Sequence, residues 1–521
     1  MSDHAVIEFL GQLGDQHRLA NRKAAALVQV RTHLRARYDA AQSTEKNRYH
    51  WQHADLLSAD AANSKTVRDK LRSRARYELH EANAFGNGIV HTLANDVIGT
   101  GPRLQVTTDN RDFNQRFERE FHAWMRAAKI ARKLHAMRIA KCVDGECFAL
   151  FVTNWNLRTS VKLDLKLIEA DLVTTPGTYQ RPNTANRVDG VHFDDNGDPT
   201  AYDVLRNHPG GDNATGTDPW AYNEVPAEFI LHLFHRSRPG QHRGIPELTT
   251  SLPLFALLRR YTLAVVAAAE IAADFAGILH TDAASGTEGE GSSWDQSVEA
   301  FDSVDVDRGM FTALPFGWDL RQLRAKQPTT VYEMFRNAIL NEIARPLNMP
   351  ANIARCDSSG YNYASGRLDH MTYDLANRVE RQNDWEPEIC DRILDVYLTE
   401  ARVASGVLLR GMRRVEDLQH SWFWDGREDA DVENQANARK TDIESGVSHR
   451  TREYARKGCD VDEEDQKAAD SFGVSVEEYR QALFRTTFTD SINAPFDTGT
   501  NRRQNEDGDE EEKTGTARQA A

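Results

Sequence analysis

Apolar positions recur at helical spacing along most of the chain. The clearest series is Phe113, Phe117, Phe121 and Trp124, whose spacings of four, four and three place it on one face of a helix predicted for residues 110–133. Similar patterns predict helices at residues 5–50, 64–97, 246–277, 329–345 and 367–404, with four short helices within residues 430–485. We expect Gly99-Thr-Gly-Pro102 to end the second helix and Pro387 to kink the long one.

Shorter apolar runs predict strands. They lie at residues 146–152, 161–168, 229–234, 309–314 and 318–323, and a hairpin pairs residues 190–193 with 201–204 around an Asn196-Gly197 turn. Most of these strands fall in the first half of the chain, and helices dominate elsewhere. The sequence therefore predicts an α+β fold that is mostly helical.

The composition bears on how the apolar surface is covered. The chain has 521 residues, enough for two to four packed substructures, but 40% of them are hydrophobic and the mean hydropathy is −0.63. These values are low for one compact globule and indicate an elongated or lobed subunit whose remaining apolar surface is buried by neighbours. The net charge of −15 argues against a sequence-specific DNA-binding protein, although DNA could still be a passenger.

The five cysteines form an odd, sparse set, which favours a reducing compartment without a disulfide framework. No signal peptide opens the chain. The most apolar run, residues 262–279, is interrupted by Glu270 and Asp274, so we expect no membrane span and a cytosolic location. After residue 487 the chain becomes polar, and an acidic tail at 488–521 is predicted to be disordered.

Motifs for phosphate or zinc chemistry are not found. The chain lacks the G-x-x-x-x-G-K-[ST] pattern of a P-loop ATPase, and Gly99-Thr-Gly101 is better explained as a helix stop than as part of a dinucleotide site. Cys142 and Cys147 lack a second Cys/His pair at zinc spacing, which favours two buried thiols.

A catalytic set is not found either. His232 and His235 should point to opposite faces of a strand, and His242 lies beyond a Pro-Gly turn, so these histidines are not expected to share a metal. Asp357 and the serines that follow it lack a local histidine base and are expected to be turn or capping residues. We therefore predict no enzyme activity, no cofactor and no metal site.

Three arginines, Arg236, Arg238 and Arg243, form a small basic cluster. They could pair with carboxylates of the same subunit, pair with the next subunit, or contact DNA phosphates. Inter-subunit pairing is favoured, because arginine suits bidentate carboxylate recognition and the chain is rich in acids.

Several landmarks occur together in one order. They are Ala84 to Leu104, Asp144-Gly-Glu-Cys-Phe148, Ile168-Glu-Ala-Asp171, the hairpin at 194–198, Arg238-Pro-Gly-Gln-His-Arg-Gly244, Leu347-Asn-Met-Pro350 and Tyr361-Asn-Tyr-Ala-Ser-Gly-Arg367. This order, over about residues 60–460, resembles the lambda-type portal proteins of tailed bacteriophages. One departure is Gly366, where a small non-glycine residue is expected, and it puts the start of the following helix in doubt.

The resemblance implies a subunit with wing, stem, clip and crown regions. Its expected segments are the wing at 1–245, a stem helix at 246–277, the clip at 278–327, a second stem helix at 328–347, a tunnel loop at 350–365, a long kinked helix returning to the wing at 366–429, and the crown at 430–487. Such a subunit would form a ring, of twelve copies in the virion, at one vertex of the capsid.

The resemblance also implies partners. Double-stranded DNA would pass through the ring without sequence specificity, the clip would dock the terminase and later the head–tail connector proteins, and the ring would contact major capsid and scaffold proteins. The loop is uncharged between Asp357 and Arg367, so we expect Ser358, Ser359, Tyr361, Asn362 and Tyr363 to face DNA as a loose gate. A minor capsid or adaptor protein is the alternative, and a phage hydrolase is less favoured.

Overall fold

The computed structural model of the chain describes residues 45, 48–176, 186–211, 221–274, 278–281, 318–321, 330–404, 415–426, 432–456, 459 and 461–492. The chain divides into two compact units, Met1–Ala61 and Ala62–Ala521. In the first unit the described residues form turns before a short helix begins, and most of the helix predicted at 5–50 lies outside the described residues.

The described strands form small antiparallel sheets that accompany a larger number of helices, which confirms the predicted α+β class. The described α-helices are α1 (Ala59–Ala62), α2 (Lys65–Arg76), α3 (Ala84–Ile98), α4 (Arg111–Ala127), α5 (Ile130–Asp144), α6 (Leu252–Asp274), α7 (Thr330–Ala344), α8 (Ala351–Arg355), α9 (Tyr363–Glu380), α10 (Asp391–Ala404), α11 (Val432–Glu444), α12 (Arg450–Arg456), α13 (Val461–Phe472) and α14 (Val476–Ile492). The described strands are β1 (Arg103–Val106), β2 (Glu146–Thr153), β3 (Leu163–Ile168), β4 (Arg187–Val188), β5 (Val191–Phe193), β6 (Pro199–Leu205), β7 (Tyr222–Pro226), β8 (Ile230–Phe234), β9 (Ile278–Thr281), β10 (Trp318–Arg321) and β11 (His420–Phe423).

The single helix predicted at 64–97 is two helices. α2 continues into a π-helical segment, Tyr77–Ala82, and Asn83 then takes an extended conformation. The Asn83 side chain accepts hydrogen bonds from the N–H groups of Phe85 and Gly86, at 3.1 and 3.3 Å, and so caps α3. α3 ends at Gly99 with φ 55°, which confirms the predicted helix stop.

The helix predicted at 110–133 is also divided. α4 ends at Ala127, and Lys129 adopts a left-handed conformation with φ 54° before α5 begins. A non-glycine residue rarely takes this conformation, and Lys129 leaves the apolar spacing uninterrupted. The helical periodicity therefore did not predict the break.

The predicted aromatic face of α4 is confirmed. Phe117, Phe121 and Trp124 are at most 1% exposed. Tyr397 of α10 packs against this face, with ring-centroid distances of 4.9 Å to Phe121 and 4.8 Å to Trp124. These contacts place the last part of the long helix on the core of the first half of the chain.

Two antiparallel sheets lie beside these helices. One has the order β3-β2-β8, and the other is the meander β4-β5-β6-β7, which contains the predicted hairpin with Val191 opposite Tyr202. Phe148, Val191, Tyr202 and Ile230 form a shared core between the sheets. A smaller pair, β1 with β11, holds Trp422 opposite Leu104.

The central part contains two helices and a strand pair. Tyr261 of α6 stacks on Tyr332 of α7 at 5.6 Å and meets Phe335 edge-on at 4.9 Å. β9 pairs with β10, so residues 318–321 do form a strand, but their partner is 278–281. The predicted strand at 309–314 lies outside the described residues.

The long helix is helical throughout residues 363–404. A π-helical segment, Arg381–Cys390, contains Pro387 and joins α9 to α10. A wider turn accommodates a proline that cannot donate a backbone hydrogen bond, and this explains the irregularity predicted at Pro387.

The predicted loop at 350–365 is partly helical, which corrects the sequence-based expectation. α8 occupies its first part, and α9 begins at Tyr363. Gly366 therefore lies inside α9, where a Cβ would meet no atom within 4 Å, so the helix start does not depend on this glycine. Asn362 fixes the start, since its side chain accepts a hydrogen bond from Ser365 N–H at 2.9 Å.

The last described part forms α11, α12, α13 and α14, which confirms the four helices predicted there. Arg480 of α14 pairs with Asp465 of α13 at 2.7 Å, and it also contacts Asp462. The tail predicted to be disordered from residue 488 begins later than expected, because α14 continues through Ile492. The rest of the acidic tail lies outside the described residues.

Candidate functional site

The connection between α8 and α9 is a short, exposed loop. Cys356 ends α8 in a left-handed conformation with φ 54°. Asp357 Oδ1 then accepts hydrogen bonds from Ser359 N–H at 3.0 Å and Ser359 O–H at 2.7 Å, and these bonds lower the pKa of Asp357. Tyr361 N–H donates to Ser358 C=O at 3.1 Å, which closes the turn.

The structure brings the predicted loop residues together on this surface. Ser358, Ser359 and Asn362 are exposed, and Tyr361 is half-buried. Tyr363 is the first residue of α9, and its side chain lies outside the described residues. The loop thus presents neutral polar side chains next to one aromatic ring, and what it faces in an assembly stays a prediction.

α9 exposes an apolar stripe directly after this loop. Its members follow at spacings of three, four and four and are Leu368 (66% exposed), Met371 (61%), Leu375 (56%) and Val379 (48%). The opposite face of α9 is packed inward, where Tyr373 is fully buried and Asn377 is 7% exposed. In a single subunit, the main apolar row of this helix therefore faces solvent, whereas the apolar face of a surface helix normally packs on the core. The spacing was visible in the sequence, but it read equally well as a core face.

α6 and α7 also expose large apolar side chains. On α6 these are Leu257, Leu263 and Val266, and on α7 they are Met334 and Phe335. At their ends near the core the two helices are tied together, since Ser251 O–H, just before α6, donates to Ile343 C=O at 3.0 Å. The two helices, α6 and α7, are thus packed at one end and expose apolar side chains farther along.

Among the described residues, one stretch, Thr249–Glu270, is long and apolar enough to cross a membrane by length and composition alone. This differs from the expectation drawn from residues 262–279, because the qualifying stretch begins earlier in the chain. It contains Arg259, whose Nη2 lies 3.0 Å from Glu78 Oε1.

A buried ionic cluster lies where the start of β2 meets the loop before α6. Glu146 is fully buried at the start of β2 and accepts hydrogen bonds from Arg72, Arg243 and His232. Burial would raise the pKa of Glu146, but Arg243 and Arg72 outweigh it and hold the pKa well below its usual value. The cluster is thus an ionised carboxylate satisfied by two guanidinium groups.

Two glycines of the sequence landmarks lie back to back beside this cluster. Gly145 has φ 88°, and a Cβ on it would overlap the backbone of Ile245. A Cβ on Gly244 would overlap the carbonyl group of Gly145. The close approach lets Gly244 N–H donate to Glu146 Oε2 at 3.1 Å, so landmarks separated by about a hundred positions form one structural unit.

His232 is part of the same unit. Its Nε2–H donates to Glu146 Oε2 at 3.1 Å, and its Nδ1 lies 3.4 Å from the Tyr202 hydroxyl. Burial lowers the pKa of His232, which agrees with a neutral ring. His235 is exposed and His242 packs on Phe193 at 4.5 Å, so the three histidines have separate surroundings.

Arg243 corrects one sequence-based prediction. Its side chain is 1% exposed, its Nη2 lies 2.7 Å from Glu146 Oε1, and its Nη1 donates to Val173 C=O at 3.0 Å. It therefore pairs within its own subunit, and inter-subunit pairing is wrong for this residue. Arg236 and Arg238 are exposed, and inter-subunit pairing stays a prediction for both.

A second ionic cluster joins α5 to the long helix. Glu380 lies 2.9 Å from Arg138 Nε and 2.8 Å from Lys141 Nζ, and Glu247 lies 2.9 Å from Arg138 Nη1. Burial would raise the pKa of Glu380, but Arg138 and Lys141 lower it to about 2. The cluster ties the end of α9 to the residues just before α6.

Cys142 and Cys147 are buried, as predicted. Burial raises the pKa of both thiols, to about 12 for Cys147. Neither is placed or ionised as a reactive thiolate would be.

Two groups of described residues bring metal-ligand atoms within 4.8 Å of one another, Glu169/Asp171/His208 and His192/Asp203/Glu224. In the first, His208 Nδ1 accepts the N–H of Gly210 at 3.0 Å, which leaves its proton on Nε2, facing Glu169 at 3.0 Å. In the second, Asp203 pairs with Arg187. In each group one carboxylate is thus already paired with an arginine, Asp171 with Arg76 and Asp203 with Arg187.

Residues 45–379 match the family described as phage portal protein, lambda family, and the chain belongs to this family. The resemblance drawn from the ordered landmarks is thereby confirmed. A probable portal protein of Halomonas phage phiHAP-1 is 27% identical over 340 residues, and the chain spans 61% of that relative's length and aligns over 61% of its own.

Solved structures give further similarities. The neck of an empty gene transfer agent particle computed with C6 symmetry is 13% identical with a TM-score of 0.42, and the alignment covers 74% of this chain and 93% of that chain. The virion of a native gene transfer agent particle is 14% identical with a TM-score of 0.39 over the same shares.

Proposed function

We propose that the chain is a portal subunit whose copies form a ring at one capsid vertex, through which double-stranded DNA is packaged and later leaves. Family membership supports the portal role, and the outward apolar stripe of α9 is the observation that supports assembly. Four large apolar side chains in one exposed row, Leu368 to Val379, need a protein partner to leave water.

The partner for this stripe is a second copy of the chain. A ring requires a heterologous interface, in which one surface of a subunit meets a different surface of the next. The exposed apolar residues of α6 and α7 supply a second surface of matching character. An interface between copies also accounts for the apolar length of Thr249–Glu270 without placing Arg259 in a bilayer.

The segments then take the roles that the family resemblance implies. Residues 1–245 form the wing, 246–277 and 328–347 the stem, 278–327 the clip, 350–365 the tunnel loop, 366–429 the return to the wing and 430–487 the crown. The clip would dock the terminase and later the head–tail connector proteins, while the wing would meet capsid and scaffold proteins. The assembled number is twelve in the virion.

The loop between α8 and α9 is proposed to face DNA. Ser358, Ser359 and Asn362 are exposed, and Tyr361 lies beside them. Neutral side chains release no condensed counterions from DNA, so they can touch a moving duplex without holding it. The chain acts by shape and assembly, with no catalytic step assigned.

The test is deletion of the reading frame in the phage that encodes it, with the protein supplied from a plasmid. We expect heads without DNA in the deletion and filled heads when the wild-type chain is supplied. Leu368→Glu/Leu375→Glu should fail to restore filling, while Leu368→Met/Leu375→Met, which keeps the stripe apolar, should restore it. Filled heads without any copy of the chain would contradict the proposal.

A further inference from the structure

A cavity of about 960 Å³ lies between α4 and α13. One wall is the outward face of α4 with β1 and the start of α5, and the opposite wall is α13. The salt bridge of Arg111 with Asp462, at 2.5 Å, joins the two walls. All of these residues belong to the second compact unit.

Six cations line this cavity, and one of them, Lys467, pairs with Glu464 on α13. The other five are Arg103, Arg119, Arg126, Lys129 and Arg132. Arg119 and Arg126 are seven positions apart, so both project from one side of α4. All five side chains are exposed. Within the part of the chain that the structure describes, no carboxylate forms a salt bridge with any of the five. The chain as a whole carries a net charge of −15, so this concentration of positive charge is local.

The acidic side chains of the lining do not neutralise it. Glu118 accepts a hydrogen bond from Val106 N–H at 2.5 Å. Asp462 is shared between Arg111 and Arg480, outside the five. Glu463 is the remaining carboxylate. The lining therefore keeps an excess of positive charge, and a ligand with several carboxylates would complement it.

We propose that this cavity binds a carboxylate-rich peptide segment, and that its occupant is residues 506–512 of this chain. That segment, Glu506-Asp-Gly-Asp-Glu-Glu-Glu512, has six carboxylates in seven residues. It lies outside the described residues, and its charge matches the five cations of the cavity.

The length of the chain permits this contact. Arg480 of α14 pairs with Asp462 of the cavity wall, and the remaining helix to Ile492 rises about 18 Å. Residues 493–505 can span at most about 45 Å when extended. The segment can therefore return to the cavity of its own subunit or reach that of a neighbour.

The shape of the cavity favours a peptide over duplex DNA. A volume of 960 Å³ is that of a ligand pocket, and its second wall, α13, carries Asp462 and Glu463. A duplex needs a long, open basic face, whereas an extended acidic peptide can lie between two walls. Duplex binding is therefore the competing outcome of the test.

The first test measures binding of a labelled synthetic peptide, residues 501–514, by fluorescence anisotropy. The receptor is the full-length chain with its six tail carboxylates at 506–512 replaced by amides. We expect salt-sensitive binding that Arg119→Glu/Arg126→Glu weakens at least about tenfold. The control Arg74→Glu/Arg116→Glu makes the same charge change on exposed arginines outside the cavity lining and should weaken it less than about twofold.

Competition completes this test. The chain with its natural tail should bind the peptide more weakly than the chain with the amide tail, because its own segment occupies the cavity. Absence of peptide binding, or equal weakening by both double variants, overturns the proposal. So does a labelled DNA duplex that binds through Arg119 and Arg126 equally well with either tail.

The second test uses the unmodified chain and needs no charge reversal. A carbodiimide joins Lys129 to a carboxylate within contact distance, and mass spectrometry identifies the joined peptides. We expect a link from Lys129 to residues 506–512 that disappears in Lys129→Arg. The Lys467–Glu464 pair, 2.7 Å apart, is the internal positive control. If that pair is joined and no Lys129–tail link forms, the proposal is wrong.

Discussion

Glu146 and Arg243, which are 97 positions apart, form a fully buried ion pair with Nη2 2.7 Å from Oε1. The pair depends on the contact of Gly145 with Gly244, which brings the start of β2 against the loop before α6. It links β2 to the loop before α6 at a point where no side chain larger than hydrogen fits. Two of the sequence landmarks, residues 144–148 and 238–244, therefore meet in one structural contact.

Glu146→Gln is predicted to lower the free energy of unfolding by about 3–5 kcal/mol, because two buried guanidinium groups lose their counter-charge. Urea denaturation followed by tryptophan fluorescence measures the change. Glu120→Gln, which removes an exposed pair with Arg116 at 3.2 Å, is the control and should change it by less than about 1 kcal/mol. Equal effects of the two variants would show that the buried cluster is not a structural joint.

Stability should also depend on pH through Glu380. Its pKa in the folded chain is about 2, below the value of about 4.3 of an unfolded glutamate. A lowered carboxyl pKa stabilises the fold above pH 4.3, and this contribution is lost as pH falls toward 2. The stability advantage of the wild type over Glu380→Gln should therefore shrink by about 3 kcal/mol between pH 5 and pH 2. An advantage that stays constant over this range, measured by urea midpoints, would exclude such a role for Glu380.

Asn362 has a structural role that must be separated from contact with DNA. It caps α9, and Asn362→Ala should cost about 1 kcal/mol, whereas Asn362→Ser keeps an oxygen acceptor and the cap. We predict that Tyr361→Ala/Asn362→Ser/Tyr363→Ala leaves the unfolding temperature of the purified chain nearly unchanged and reduces the DNA retained in particles. Retention and packaging yield equal to wild type would contradict the proposed gate.

Helical periodicity predicted most elements, since buried faces such as that of Phe117 and Phe121 follow the pitch of a helix. It did not predict the breaks at Asn83 and Lys129, because local caps and one left-handed residue set them without interrupting the apolar spacing. α8 was missed because five residues are too few to show a period.

The candidate site was predictable in part. The loop was located through the family resemblance, and its neutral, polar composition then suggested a loose contact with DNA. Ser358, Ser359, Tyr361 and Asn362 do lie together in the structure. The burial of Arg243 could not be inferred from a list of arginines, because it depends on Glu146, a partner brought close by the sheet. The stripe of α9 had the spacing of a core face, and only the fold shows which side of the helix is already packed.

The most direct test of the account is the native mass of the purified chain, compared with that of Leu368→Glu/Leu375→Glu. One subunit has a mass of 58.8 kDa. We predict a closed ring of about a dozen wild-type subunits with a central hole, its persistence in Leu368→Met/Leu375→Met, and its loss in the glutamate variant. A wild-type chain that stays at the mass of one subunit at high concentration and in varied salt would contradict the account.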